Sequence, residues 1–134
     1  FQADAGIRDF CLSRGLGDVY KRQVKWQAHI QMTGQMFNKH IDKLWDRCPD
    51  DPERVVRITI MLDDWQPGHF YMYGNCMYDR WRAGDVHVFD WSNVPHCTAN
   101  ASNHPRAVLQ MTGLKTDRTR EILENADKDN IFRL

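Results

Sequence analysis

The chain is 134 residues long, 42% hydrophobic and 11% aromatic, enough apolar material for one core and too much for a disordered segment. Eighteen basic residues balance eighteen acidic ones without a long block of either sign, which argues against a nucleic-acid or anionic-membrane surface. No apolar run approaches the roughly 20 residues that span a bilayer, and Cys11, Cys48, Cys76 and Cys97, separated by 37, 28 and 21 residues, match neither a zinc site nor a dense disulfide framework, so they read as reduced thiols of a cytoplasmic protein.

Residues 1–23 stand apart from the rest. Asp18 to Gln23, DVYKRQ, is what GAT GTG TAT AAG AGA CAG encodes, a string resembling the transposon end used to prepare sequencing libraries. The residues before it show no periodicity and no initiator Met, so 1–23 is expected to be a non-native segment that contributes nothing to the fold. Alternation begins at Val24. VKWQAHIQM and QMFNKHID are separated by Thr33-Gly34; RVVRITIML follows the polar loop DRCPDDPE; DWQPG precedes HFYMY, and Gly74-Asn75 reads as a hairpin turn before CMYDRWR. Ala83-Gly84-Asp85 leads into DVHVFDW, SNVP breaks the chain before HCTANA, and SNHP does so before RAVLQMTG. Eight or so closely spaced strands predict an all-β core of sandwich or barrel type over 24–113, the jelly roll being the eight-stranded example. Within 114–134, Asp117 is placed to cap RTREILENA, a helix whose modest apolar face of Ile122 and Leu123 packs on the outside.

His40-Ile41-Asp42 is the first segment with chemical content. In an extended strand, positions 40 and 42 project to the same face, where a His nitrogen and an Asp oxygen can meet one ion. Six His and fifteen Asp make a chance His-x-Asp ordinary, so the tripeptide alone decides nothing. His96 adds weight, starting a strand just after Pro95; Arg106 starts the last strand just after Pro105. In a jelly roll the second and seventh strands are neighbours, which would bring His96 beside the tripeptide. Two imidazoles and one carboxylate make the facial triad of non-heme Fe(II) sites, with three adjacent positions open for a chelating 2-oxo acid and dioxygen. The far carboxylate of such an acid needs a planar, permanently charged partner, a role that suits Arg106 better than a lysine.

Taken together, His40, Asp42, His96 and Arg106 resemble the motif of the Fe(II)/2-oxoglutarate-dependent dioxygenase superfamily, over about residues 24–113. The resemblance implies a double-stranded β-helix (jelly roll, cupin-like), with Fe(II) on His40, Asp42 and His96, 2-oxoglutarate as co-substrate anchored by Arg106, and hydroxylation of an organic substrate. FDWSNVPHCTANASNHPRAVL is similar to the aspartyl/asparaginyl β-hydroxylase branch, whereas the carboxylate ligand Asp42 points to prolyl-hydroxylase-like relatives and away from the halogenating branch.

Strand parity adds Asn38 on the face of His40, Thr98 and Asn100 on that of His96, and Val108 and Gln110 on that of Arg106. Thr59, if inward, could donate its hydroxyl to the co-substrate carboxylate. His29, His69, His87 and His104 lack such partners and read as structural or solvent-facing, and the tryptophans with Tyr71 and Tyr73 read as core and rim. Asn100-Ala101-Ser102 matches a glycosylation tripeptide by chance. Two other classes stay open: a cupin-like metal enzyme that does not use 2-oxoglutarate, and a non-catalytic jelly-roll binding module, which would not need a convergent His/Asp/His set.

Overall fold

The structure, a computed structural model, describes residues 24–126. The expected non-native segment 1–23, with Cys11, and the tail 127–134 lie outside the described residues.

Eight strands form: β1 (Lys25–Gln31), β2 (Met36–His40), β3 (Val55–Met61), β4 (His69–Tyr73), β5 (Cys76–Tyr78), β6 (Val86–His87), β7 (His96–Asn100) and β8 (Arg106–Leu114). They make two antiparallel four-stranded sheets, β1-β8-β3-β6 and β2-β7-β4-β5. The jelly roll read from the strand count is the observed architecture, with β2 beside β7. CMYDRWR and DVHVFDW yield only the short β5 and β6, and Trp81, Phe89 and Trp91 sit in loops that turn back onto the core. Gly74, with φ of 57°, makes the β4–β5 turn, and its N–H donates to the Pro95 carbonyl, tying that hairpin to the approach of β7.

Between the sheets lie Met61, Tyr71, Tyr73, Trp81, Trp91 and Val108, with Leu44 from a short 3-10 turn, Leu44–Arg47. Each such side chain withdrawn from water contributes about 1.5–3 kcal/mol. The helix α1 (Asp117–Glu124) buries no residue, as expected, but its cap is Thr116, not Asp117: the Thr116 hydroxyl accepts the Thr119 N–H, which makes Asp117 the first helical residue. Among the described residues no helix is long and apolar enough to cross a membrane.

The β7–β8 connection is built from side-chain bonds. Asn100 donates through Nδ2 to the carbonyls of Gln31 and His104, and its Oδ1 accepts from the N–H and hydroxyl of Ser102. At 1% exposure Asn100 offers nothing to a glycosyl donor. Gly68 passes under this loop with φ of +97°, where a Cβ would come within 2.7 Å of the Ser102 nitrogen. Arg106 is thereby delivered to the start of β8 in a fixed position.

Candidate metal centre

His40 ends β2, His96 begins β7, and the two are register partners with ring centroids 4.4 Å apart. Asp42 lies just past the end of β2, held by its N–H to the Trp91 carbonyl and by its own carbonyl to the Leu44 N–H. One ligand atom from each of the three falls within 4.8 Å of the others. His40 Nε2 stands 3.6 Å from Asp42 Oδ1, and His96 Nε2 stands 3.8 Å from Asp42 Oδ2.

The imidazoles are arranged for donation to an ion. His40 Nδ1 lies 2.6 Å from the Asn38 carbonyl and His96 Nδ1 lies 3.1 Å from that of Val94, so each Nδ1 carries the proton and each Nε2 keeps its lone pair toward Asp42. Burial lowers the His96 pKa, opposed by the Val94 bond and the Asp42 charge, which favours the neutral, ligating form. Trp91 meets the His96 ring edge-on at 4.8 Å and fixes its plane.

Arg57, on β3, is a component that the sequence reading did not single out. Its Nη1 donates to Asp42 Oδ2, its Nε donates to Thr112 Oγ1 at 2.8 Å, and its guanidinium lies over Trp91 at 5.4 Å. The Trp91 indole N–H in turn donates to the Arg57 carbonyl. Burial lowers the Arg57 pKa, with Asp42 the main opposing influence.

These residues open onto a cavity of about 170 Å³ lined also by Gln27, His29, Phe37, Tyr71, Thr98, Arg106, Val108 and Gln110. It is smaller than the roughly 300–1,000 Å³ of drug-sized sites and suits a small ligand. Arg106, also in the lining, is 3% exposed. Its Nε and Nη2 both donate to Gln31 Oε1, its face lies 5.0 Å over the Tyr71 ring, and Nη1 has no partner among the described residues. Burial lowers the Arg106 pKa and pushes the Tyr71 phenol up to about 12, which keeps Tyr71 neutral.

Of the second-rank positions, Thr98 lines the cavity and its buried hydroxyl is unpartnered, and Val108 and Gln110 line it as parity implies. Asn38 does not. A bulge between Phe37 and His40 breaks the alternation of β2, so Phe37, half exposed, lies on the cavity face while Asn38 is off it and contributes only its carbonyl. Thr59 is fully buried, paired in register with His87, and stands outside the cavity lining. His29 corrects the reading in the other direction: it lines the cavity and its buried Nε2 lacks a partner. His69 and His87 are structural, His69 bonded to the His104 carbonyl and the Gln66 N–H, and His87 to the Tyr73 hydroxyl.

No family model matches the chain, and no curated protein sequence does. In three dimensions it is similar to a cupin protein from Bacteroides fragilis (15% identity, TM-score 0.50, 83% of this chain and 79% of that one). A second likeness is to the Cnp3 cupin domain of Schizosaccharomyces pombe (9%, TM-score 0.50, 82% and 65%). A third is a conserved Streptococcus pyogenes protein of unknown function (11%, TM-score 0.47, 69% and 66%). The chain thus spans just under two thirds of the last two. The fold is a cupin-like jelly roll; at such identities the likeness carries no residue role.

Proposed function

We propose that the chain is the oxygenase domain of an Fe(II)- and 2-oxoglutarate-dependent hydroxylase, with His40, Asp42 and His96 holding the metal and Arg106 the distal carboxylate of the co-substrate. The observation that carries this reading is that two kinds of site line one small cavity. Its wall holds two imidazole Nε2 atoms and a carboxylate that converge, and also a buried guanidinium with no carboxylate contact among the described residues and one N–H pair unmet. A buried unpaired charge costs several kcal/mol, and a ligand carboxylate removes that cost.

The donor set fits ferrous iron, since borderline nitrogen and hard oxygen ligands on one face leave adjacent positions open. When bound, iron and 2-oxoglutarate supply oxygen activation coupled to oxidative decarboxylation, with succinate and CO2 as co-products. The chain's own residues bind and exclude. Arg106 fixes the co-substrate end to end, the Thr98 hydroxyl and His29 Nε2 offer further hydrogen bonds in the same cavity, and Trp91 and Tyr71 wall off water. Arg57 and Arg106 outnumber Asp42 among the charged lining residues, so cationic substrates are disfavoured.

The test is anaerobic titration of Fe(II) and then 2-oxoglutarate into the wild type, His96→Ala and Arg106→Ala. His96→Ala should lose iron; Arg106→Ala should keep iron and bind 2-oxoglutarate far more weakly. Equal iron affinity with and without His96 removes the metal assignment. Iron binding without 2-oxoglutarate binding in the wild type moves the chain to the cupin-like metal enzymes that use other substrates.

A further inference from the structure

We infer that Gln31 is a positioning residue that aims the Arg106 guanidinium while leaving its charge uncompensated, and so makes this end of the cavity selective for a carboxylate. Gln31 is the last residue of β1, the register partner of Arg106, and 1% exposed. Its amide orientation is fixed by its surroundings. Nε2 donates to the carbonyls of Gln35 and Thr98 at 3.0 and 3.3 Å, so Oε1 must face Arg106, where it accepts from Nε at 3.0 Å and Nη2 at 2.8 Å.

The chemical point is what Gln31 is not. The buried partner of a buried arginine is ordinarily a carboxylate, which satisfies hydrogen bonds and charge together. An amide oxygen accepts the same bonds with no charge. Among the described residues, Asp63 is the one carboxylate whose field bears on Arg106; it accepts the Ala107 N–H and makes no ion pair with the guanidinium. Tyr71 and Tyr73, which also face Arg106, are held neutral by burial, and burial together with nearby positive charge, Arg106 included, lowers the pKa values of His29 and His87, which keeps them neutral too. The positive charge therefore survives at a buried position, its orientation set and Nη1 unmet. Because Nε2 also grips the Thr98 carbonyl, Gln31 couples Arg106 to the strand that begins with His96.

The identity of the carboxylate as that of 2-oxoglutarate rests on the function proposed above; the role of Gln31 does not. Two substitutions separate its charge from its structural bonds. Gln31→Met and Gln31→Glu both lose the two Nε2 donations, so a structural role predicts similar falls in Tm and similar ligand affinities. Only Gln31→Glu places a carboxylate on Arg106. Using Mn(II)-loaded protein, we expect 2-oxoglutarate to bind Gln31→Met up to about tenfold more weakly than wild type and Gln31→Glu more weakly by roughly a hundredfold or more. Mn(II) affinity should stay within about twofold, since neither change touches the metal ligands. Equal losses in the two variants overturn the inference. If the glutamate variant gives no cooperative melt, Gln31→Asp, one methylene shorter and able to stand off the two carbonyls, carries the same expected loss.

Glutarate and sulfate are titrated in parallel. If the wild type binds glutarate but not 2-oxoglutarate, the proposed function fails, and Gln31 is upheld when the acidic variant alone loses glutarate; a wild type that binds sulfate but neither dicarboxylate overturns the carboxylate selectivity as well. A wild type that binds none of the three overturns both.

Discussion

Arg57 imposes a definite sign on metal binding. Its guanidinium occupies Asp42 Oδ2, the same oxygen that faces His96 Nε2, with the two side chains 12% and 18% exposed. Replacing it by Met removes that ion pair, the bond to Thr112 Oγ1 and the contact over Trp91, and leaves the carboxylate without a cation. Breaking a fully buried pair costs about 3–5 kcal/mol; partial exposure brings the expected loss to about 2–3 kcal/mol, a fall in Tm of about 10 °C or more for a domain of this size. The same change should strengthen metal binding. A divalent ion on Asp42 would lie about 5 Å from the guanidinium, where repulsion at an effective dielectric of 20 reaches about 7 kcal/mol before screening. If only about a quarter of that survives, affinity rises between tenfold and a hundredfold. With both proteins saturated, that affinity ratio returns about 1.4–2.7 kcal/mol to the variant relative to wild type. The deficit of Arg57→Met should therefore be large in chelator and nearly closed in saturating Mn(II). Melts in both conditions and calorimetric Mn(II) titration decide it: weaker Mn(II) binding in the variant would refute the electrostatic account and make Arg57 an orienting support for Asp42.

Acid provides another test, because burial and then the Arg106 charge push the His87 pKa down to about 3, from 6.5 in the unfolded chain. The depressed value leaves stability unaffected above pH 6.5 and erodes it as pH falls toward 3, by about 2–3 kcal/mol at pH 4.5, so His87→Gln should flatten this limb in denaturant melts against pH, and an unchanged limb would mean other groups dominate. Gly68→Ala meets backbone at 2.7 and 2.8 Å with φ at +97°, so urea unfolding should show a loss of about 2–4 kcal/mol; a neutral result would mean the loop that delivers Arg106 can shift.

The residues legible in the sequence are those placed by punctuation. His96 and Arg106 each follow a proline at the start of a strand, and His40 closes one, so their positions survive errors in strand length. The eight-strand count led to the jelly roll for the same reason, since Gly and Pro mark turns whatever lies between them. Parity inside strands was less dependable. It worked for Thr98, Val108 and Gln110, but one bulge took Asn38 off the cavity face and put the half-exposed Phe37 on it. Thr59 is buried but outside the cavity lining, because period-2 reasoning gives direction without position along the strand.

The larger omission was β1, where hydrophobicity points the wrong way. Trp26 and Ile30 face solvent, while Gln27 and His29 line the cavity and Gln31 is buried beside Arg106. A reader who assigns the apolar side of a strand to the core inverts VKWQAHIQM and loses all three polar residues. The inversion has a physical cause: a cavity that must hold a charged ligand needs amide and imidazole groups on its wall, and each is tolerable only when partnered. Gln31 is fully partnered, whereas His29 Nε2, Thr98 Oγ1 and Arg106 Nη1 are not, and these three unmet groups belong to residues lining the same cavity. A strand whose polar face is inward, beside a buried arginine, is thus a sequence signal for a ligand cavity: an apolar core would have no use for that face, and a solvent-facing one would not place Gln31 in register with Arg106.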